Sequence, residues 1–283
     1  MTVKVVTDST ADLSESTVQE LGITVVPVYV RFGEAIYRDG VDISHDEFYQ
    51  RLQESPVHPS TSQPAPADFA DTYRKLSKEA DAVVSIQVTS KLSGTYNSAL
   101  QGKEMTDTKC PIEVVDSRSL SMGLGLIAIA AARVARAEAG LAEVIEEVRQ
   151  AVTHVRVLGV LDSLKYLLQG GRIGKAKALL GGLLNVKPML TMRDGELSPV
   201  GLARTRAKGM ERLYELAKNA LNIQELAIVH STTPEEANSL KERVASFLDL
   251  KRIHLCRLGP ALGVYGGPGA IILALREKTG DFS

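Results

Sequence analysis

The chain has 283 residues, 44% of them hydrophobic and 24% charged, an ordinary globular composition with room for a large core that needs no disulfide or metal staple. Lys and Arg number 33 against 34 Asp and Glu, and aromatics are limited to eight Tyr and five Phe with no Trp. Neither the basic excess nor the stacking surface of a nucleic-acid-binding protein is there, which argues against nucleic acid as a partner.

Val3–Thr7 is a β-branched run and predicts a strand. Asp12 and Glu15 stand at capping-box spacing before a helix that runs to Leu21 and stops at Gly22. Ile23–Val30 predicts the next strand. Ser44 and Glu47 repeat the capping box for a helix to about Gln53, and the prolines between Pro56 and Pro66 predict a loop. Helices over 68–79 and 95–105 then alternate with strands over 82–88 and 112–115. Two further helices, 122–139 and 141–154, are divided at Gly140.

From Val155 the pattern changes. A strand over 155–161 leads to helices over 163–169 and 175–184. Lys187–Met192 and Glu196–Leu202 flank Asp194-Gly195, the strongest hairpin signal in the chain. Helix, strand, helix and strand follow over 205–221, 226–230, 234–248 and 252–255, and 270–276 closes the fold as a strand or short helix. This alternation predicts an α/β protein of two domains, 1–154 and 155–283. The first is a Rossmann-like parallel-sheet domain, and the hairpin makes the second a mixed-sheet domain.

The stretch from Leu258 to Leu275 carries no charge, but Pro260, Pro268 and five glycines interrupt it. It is expected to be a glycine-rich loop feeding a buried element, not a membrane span. The N-terminus enters a strand at once, without the basic and apolar regions of a signal peptide. Cys110 and Cys256 stand far apart, with no Cys/His spacing for zinc, and as lone thiols they fit a reducing compartment. The expected location is the cytoplasm.

Ligands of open α/β sheets bind beyond the carboxyl ends of the strands. Those positions are crowded with hydroxyls: Ser9 and Thr10, Thr89 and Ser90, Ser93 before Gly94, and Ser117, Ser119 and Ser121. The proline-rich loop adds Ser60, Thr61 and Ser62. Any one of them is accounted for as a cap or turn residue, but the set as a whole suits an anion such as a carboxylate or phosphate. None of the five histidines falls in these clusters, so a Ser-His-Asp triad lacks its base. Gly123-x-Gly125-x-x-Ala128 lacks the strand–turn–helix context of a dinucleotide site, and Gly174-Lys175 lacks both the first Gly and the Ser or Thr of a phosphate loop. No acidic cluster points to a metal, and neither metal nor cofactor is expected.

The segments Thr7-Asp8-Ser9-Thr10-Ala11-Asp12-Leu13, Thr61-Ser62-Gln63-Pro64, Ser90-Lys91-Leu92-Ser93-Gly94-Thr95-Tyr96, Val115-Asp116-Ser117, Gly170-Gly171-Arg172-Ile173-Gly174-Lys175-Ala176 and Gly267-Pro268-Gly269 form a specific ordered set. With them the sequence resembles the DegV family, whose members include the fatty-acid-binding subunits of bacterial fatty acid kinases. The resemblance implies two α/β domains around a long-chain fatty acid such as palmitate, its acyl chain in an aliphatic tunnel. It also implies that Thr61 and Ser93 hold the carboxylate, beside Ser62 and Gly94. Tyr265 stands where many members place a histidine, and a phenol can still donate there. The protein would then be no enzyme itself but a carrier, presenting the carboxylate to a separate ATP-dependent kinase subunit and touching membranes transiently. The alternative is a small-molecule kinase or phosphotransferase using the hydroxyl loops for phosphate.

Arg172 and Arg206 are implied to face the partner or the membrane; Arg172, after Gly170-Gly171, equally suits capping of helix carbonyls. Lys165, Arg172, Lys175, Lys177 and Lys187 share one sequence neighbourhood, as a solvated face or as a docking patch.

Overall fold

In the computed structural model, which describes residues 1–180 and 186–278, the first half alternates as its periodicity predicts. Its elements are β1 (Val3–Asp8), α1 (Glu15–Leu21), β2 (Thr24–Val26), β3 (Tyr29–Phe32), β4 (Ala35–Arg38), α2 (His45–Glu54), β5 (Ser60–Ser62), α3 (Pro66–Leu76), β6 (Ala82–Gln87), α4 (Thr95–Glu104), β7 (Ile112–Asp116), α5 (Met122–Arg136) and α6 (Leu141–His154). A four-stranded parallel sheet runs in the order β2-β1-β6-β7. Parallel neighbours need crossovers, and the crossover helices cover both faces. Phe69, Tyr73 and Leu76 of α3 pack with Ala99 of α4 on one face, while α5 and α6 cover the other.

The second half contains β8 (Val155–Val160), α7 (Lys165–Gln169), β9 (Lys187–Arg193), β10 (Glu196–Ala203), α8 (Arg206–Lys218), β11 (Ile223–His230), α9 (Pro234–Val244), β12 (Ile253–Arg257), α10 (Pro260–Gly266) and β13 (Ile271–Glu277). These strands form the expected mixed sheet, in the order β10-β9-β8-β13-β11-β12, with only β11 and β12 parallel. Asp194 and Gly195 make the predicted hairpin turn with φ of 51° and 80°, the left-handed pair a tight two-residue turn requires.

Along β13 alternate residues serve two cores. Ile271, Leu273 and Leu275 pack outward with Leu213 of α8 and Leu240 of α9. Ile272 and Ala274 face the other way, toward α5. That helix lies between the two sheets, and every residue from Met122 to Ala132 is buried. Its small residues permit this: a Cβ on Gly125 would stand 2.7 Å from the Ala11 carbonyl oxygen. The glycine spacing at the start of α5 thus serves packing.

Several local expectations are corrected. Pro27 has no N–H for the ladder and divides the predicted 23–30 strand into β2 and β3. β3 then joins β4 and β5 in a small antiparallel sheet, β4-β3-β5, and β5 lies inside the segment predicted as a plain loop. The cap of α1 is Ser14, whose Oγ accepts from the Thr17 N–H at 3.2 Å, rather than Asp12. The glycine-rich stretch contains α10, with Pro260 in its first turn. The segment 270–276 is a strand, β13. Of the helix predicted over 175–184, Gly174–Leu179 is a 3-10 turn and the end lies outside the described residues. Among the described residues, no helix is long and apolar enough to cross a membrane.

Candidate functional site

The small sheet, α2, α4 and α10 bring distant segments to one place. Thr61 pairs with Val30 across β5 and β3. Its hydroxyl meets the Tyr265 hydroxyl at 2.5 Å, joining the proline-rich loop to α10. Ser93 sits at the entry to α4, its Oγ 2.8 Å from Thr95 Oγ1. Gly94 lets the two loops close on each other, since a Cβ there would stand 2.9 Å from Nε2 of Gln63. Thr61, Gln63, Ser93 and Tyr265 therefore share one cavity of about 600 Å³, together with Thr10 and Arg172.

Beyond this polar mouth the lining becomes aliphatic. A second cavity of about 540 Å³ shares Leu120, Leu167, Leu197, Leu262 and Tyr265 with the first. It continues along the six-stranded sheet toward Val157, Leu190 and Ile272. A polar end with hydroxyl donors and a long apolar end suit an amphiphile with one anionic or polar head.

The remaining expected residues fall as follows. Ser62 is exposed and lies outside the cavity lining, because successive residues of a strand face opposite ways. Arg172 donates from Nη1 to the Gly170 carbonyl at 3.1 Å, the carbonyl contact its position suggests. Its guanidinium also lies 5.4 Å from the centre of the Tyr265 ring, at the mouth of the cavity. Arg206 is 20% exposed and is engaged by Glu236 at 2.7 Å and Asp162 at 3.5 Å. Lys187 also meets Asp162, and Lys175 meets Glu196.

The hydroxyl set divides between structure and site. Ser9 donates to Asp39, Thr10 to Asp8, Thr89 to the Gly195 carbonyl, Ser90 to Asp116 and Ser121 to Asp12. Thr10, Thr61 and Ser93 are the members that line the cavity. Sequence reasoning missed Gln63 as a lining residue, and missed Leu120 and Leu197, which look like ordinary core positions. It also missed the buried carboxylates Asp8, Asp12 and Asp39. Among the described residues, no group of three or more His, Cys, Asp and Glu is placed to hold a metal ion.

The family model described as "Uncharacterised protein, DegV family" matches residues 2–278. A DegV domain-containing protein of Caldanaerobacter subterraneus subsp. tengcongensis is 36% identical over 279 residues, covering 98% of this chain and 99% of the relative. A DegV family protein from Thermus thermophilus, described by its fatty acid binding, superposes with a TM-score of 0.89 at 34% identity, covering 98% of this chain and all of that one (100%). A stearic-acid-binding protein from Eubacterium ventriosum superposes with a TM-score of 0.87 at 29% identity, covering 98% of this chain and 99% of that one. Matched almost end to end by the family model and by a relative of this identity, the chain belongs to the DegV family.

Proposed function

We propose that the protein binds a long-chain fatty acid, with its carboxylate at Thr61 and Ser93 and its acyl chain in the aliphatic cavity. The observation that carries this is the polarity gradient of the joined cavities, from Thr61, Ser93 and Tyr265 at the mouth to Leu190 and Ile272 at depth. The fatty acid binding described for the Thermus thermophilus protein and the stearic acid binding described for the Eubacterium ventriosum protein support the same reading. Burying ~14 methylenes at ~0.8 kcal/mol each gives on the order of 11 kcal/mol before costs. Each hydrogen bond to the charged head adds ~1.5–3 kcal/mol. The tail therefore sets most of the affinity, and the hydroxyls set the orientation.

In this reading the protein is a cytoplasmic carrier. It offers the carboxylate to a separate ATP-dependent kinase that forms the acyl phosphate, and Arg172 beside the mouth faces that partner or an anionic membrane. Native mass spectrometry of the purified protein tests the ligand. A co-purified or added long-chain fatty acid at one per chain supports the proposal. Nucleotide in its place would point to a phosphotransferase, and failure to bind any fatty acid refutes the proposal.

A further inference from the structure

Asp8, Asp12 and Asp39 are all buried, and among the described residues none of them has an ion-pair partner. Their partners are hydrogen-bond donors on segments that line the mouth of the cavity. Asp8 accepts from the Thr10 N–H at 3.0 Å and from the Val88 N–H at 2.8 Å. Asp39 accepts from Ser9 Oγ at 2.7 Å and from the Ala261 N–H. Ser9 Oγ in turn accepts from the Val28 N–H at 3.0 Å. Asp12 accepts from Ser121 Oγ at 2.5 Å and from the Gly259 N–H at 2.8 Å. Thr10, Val28, Val88 and Ala261 all line the head-group cavity.

Asp12 and Asp39 converge on the first turn of α10, the helix that carries Leu262 and Tyr265 into the site. A Cβ on Gly259 would stand 3.0 Å from Asp12 Oδ1 and 3.5 Å from Asp39 Oδ1, so the two carboxyl groups flank one residue. We infer that Asp12 and Asp39 are positioning residues that form a proton-linked latch on α10, and through it on Tyr265 and the ligand. This rests on the fatty-acid reading above.

The chemistry follows from the donor set. With a proton on the pair, the carboxyl oxygens still accept from the Gly259 and Ala261 N–H groups, and Ser9 and Ser121 can reverse to accept. With both groups ionised, two like charges face each other in a buried site beside one glycine. Burial, opposed by the Ser121 and Gly259 hydrogen bonds, pushes Asp12 up to about 8. Burial, opposed by Ser9 and Ala261, pushes Asp39 up to about 7.

Other titratable and charged groups pack around the pair, and Asp8 raises both of its members. His45 of α2 and His230 of β11 are lowered below the ordinary histidine value, chiefly by burial. Tyr49 of α2 is raised well above its ordinary value, and Cys256 of β12 is pushed up to about 12, both by burial. Asp8 of β1 is also raised by burial. Arg257 of β12 is engaged by Asp46 of α2 at 2.6 Å. Glu15 of α1 lines the outer side of the same cluster.

The test is the dissociation rate of a fluorescent long-chain fatty acid between ~pH 6 and ~pH 9, with amide hydrogen exchange of the α10 segment in the ligand-free protein, corrected for intrinsic exchange. One pH unit of coupling corresponds to about tenfold. Release and α10 exchange in the wild type are expected to rise by about that factor across the window. Both are expected to be flat in the Asp12→Asn/Asp39→Asn variant. A flat wild-type profile, or a pH dependence that survives in the Asn variant, overturns the latch. If the variant does not fold, the wild-type profiles still decide. A wild type that binds no fatty acid at ~pH 6 refutes the ligand reading, while the exchange measurement judges the latch separately.

Discussion

At Thr61, a single hydroxyl links a strand of the small sheet to the phenol of Tyr265, and Ser93 faces the same cavity from the start of α4. Converting both to shape-matched groups without hydroxyls, Thr61→Val with Ser93→Ala, removes the two donors proposed for the carboxylate. Calorimetric titration is expected to show a loss of ~3–6 kcal/mol in fatty-acid binding, given ~1.5–3 kcal/mol for each hydrogen bond to a charged group. Melting temperature should change little, because both side chains are only half-buried. Unchanged affinity in the double variant would remove these residues from the head-group role. Tyr265→Phe is expected to weaken binding by ~1.5–3 kcal/mol in the same assay, whereas Tyr265→His, which keeps a donor, should recover part of the loss. A Phe variant that binds as tightly as the wild type would show that the phenol hydroxyl is not used.

Among the elements, α10 depends most on its surroundings. Its sequence, Pro-Ala-Leu-Gly-Val-Tyr-Gly, is poor in helix formers. It is helical because Ala261 and Val264 bury against Phe48 and Tyr49 of α2, and because Tyr49 donates to the Leu258 carbonyl at 3.0 Å. Gly263 allows that approach: a Cβ there would lie 2.5 Å from the Phe48 ring and 2.9 Å from the Tyr49 hydroxyl. Gly263→Ala is therefore expected to cost ~1–3 kcal/mol by overpacking, read as a lower denaturant midpoint in chemical unfolding. A midpoint equal to the wild type would mean that α10 shifts freely on α2. The same packing explains why this helix was illegible in the sequence, where glycines and prolines read as loop. The β-branched runs of β1, β6 and β11 and the Asp194-Gly195 turn needed no such context and were legible at once. Asp12 misled because its spacing to Glu15 imitates a cap, whereas the chain gives that task to Ser14 and buries Asp12 against Gly259. The meeting of Thr61 with Ser93 was legible only through family likeness, since nothing local in either segment refers to the other.

Across the whole molecule, α5 ties the two sheets together, and the aliphatic cavity lies against the six-stranded sheet, with Arg172 bordering the polar mouth. Burial raises Asp12 and Asp39 far above the ordinary carboxyl value of 3.8. Their neutral forms therefore favour the folded state. The stability linked to them is complete below about pH 4 and is lost as pH rises through about 7 to 8. Calorimetric melting is expected to show the wild type losing stability between ~pH 4 and ~pH 8, with a smaller loss in Asp12→Asn/Asp39→Asn. Parallel profiles would place the loss elsewhere. At the mouth, Arg172→Ala should slow transfer of fatty acid to anionic vesicles. Transfer by the wild type should slow with added salt, which screens charge beyond roughly 10 Å at 0.1 M. A rate indifferent to both makes Arg172 a carbonyl cap alone. The most direct measurement is a crystal structure of the protein with a saturated long-chain fatty acid. The account requires the carboxylate within hydrogen-bond distance of Thr61 Oγ1 and Ser93 Oγ, with the tail passing Leu120 toward Ile272. A ligand whose head lies away from Thr61 and Ser93, or whose tail avoids the aliphatic cavity, would contradict it.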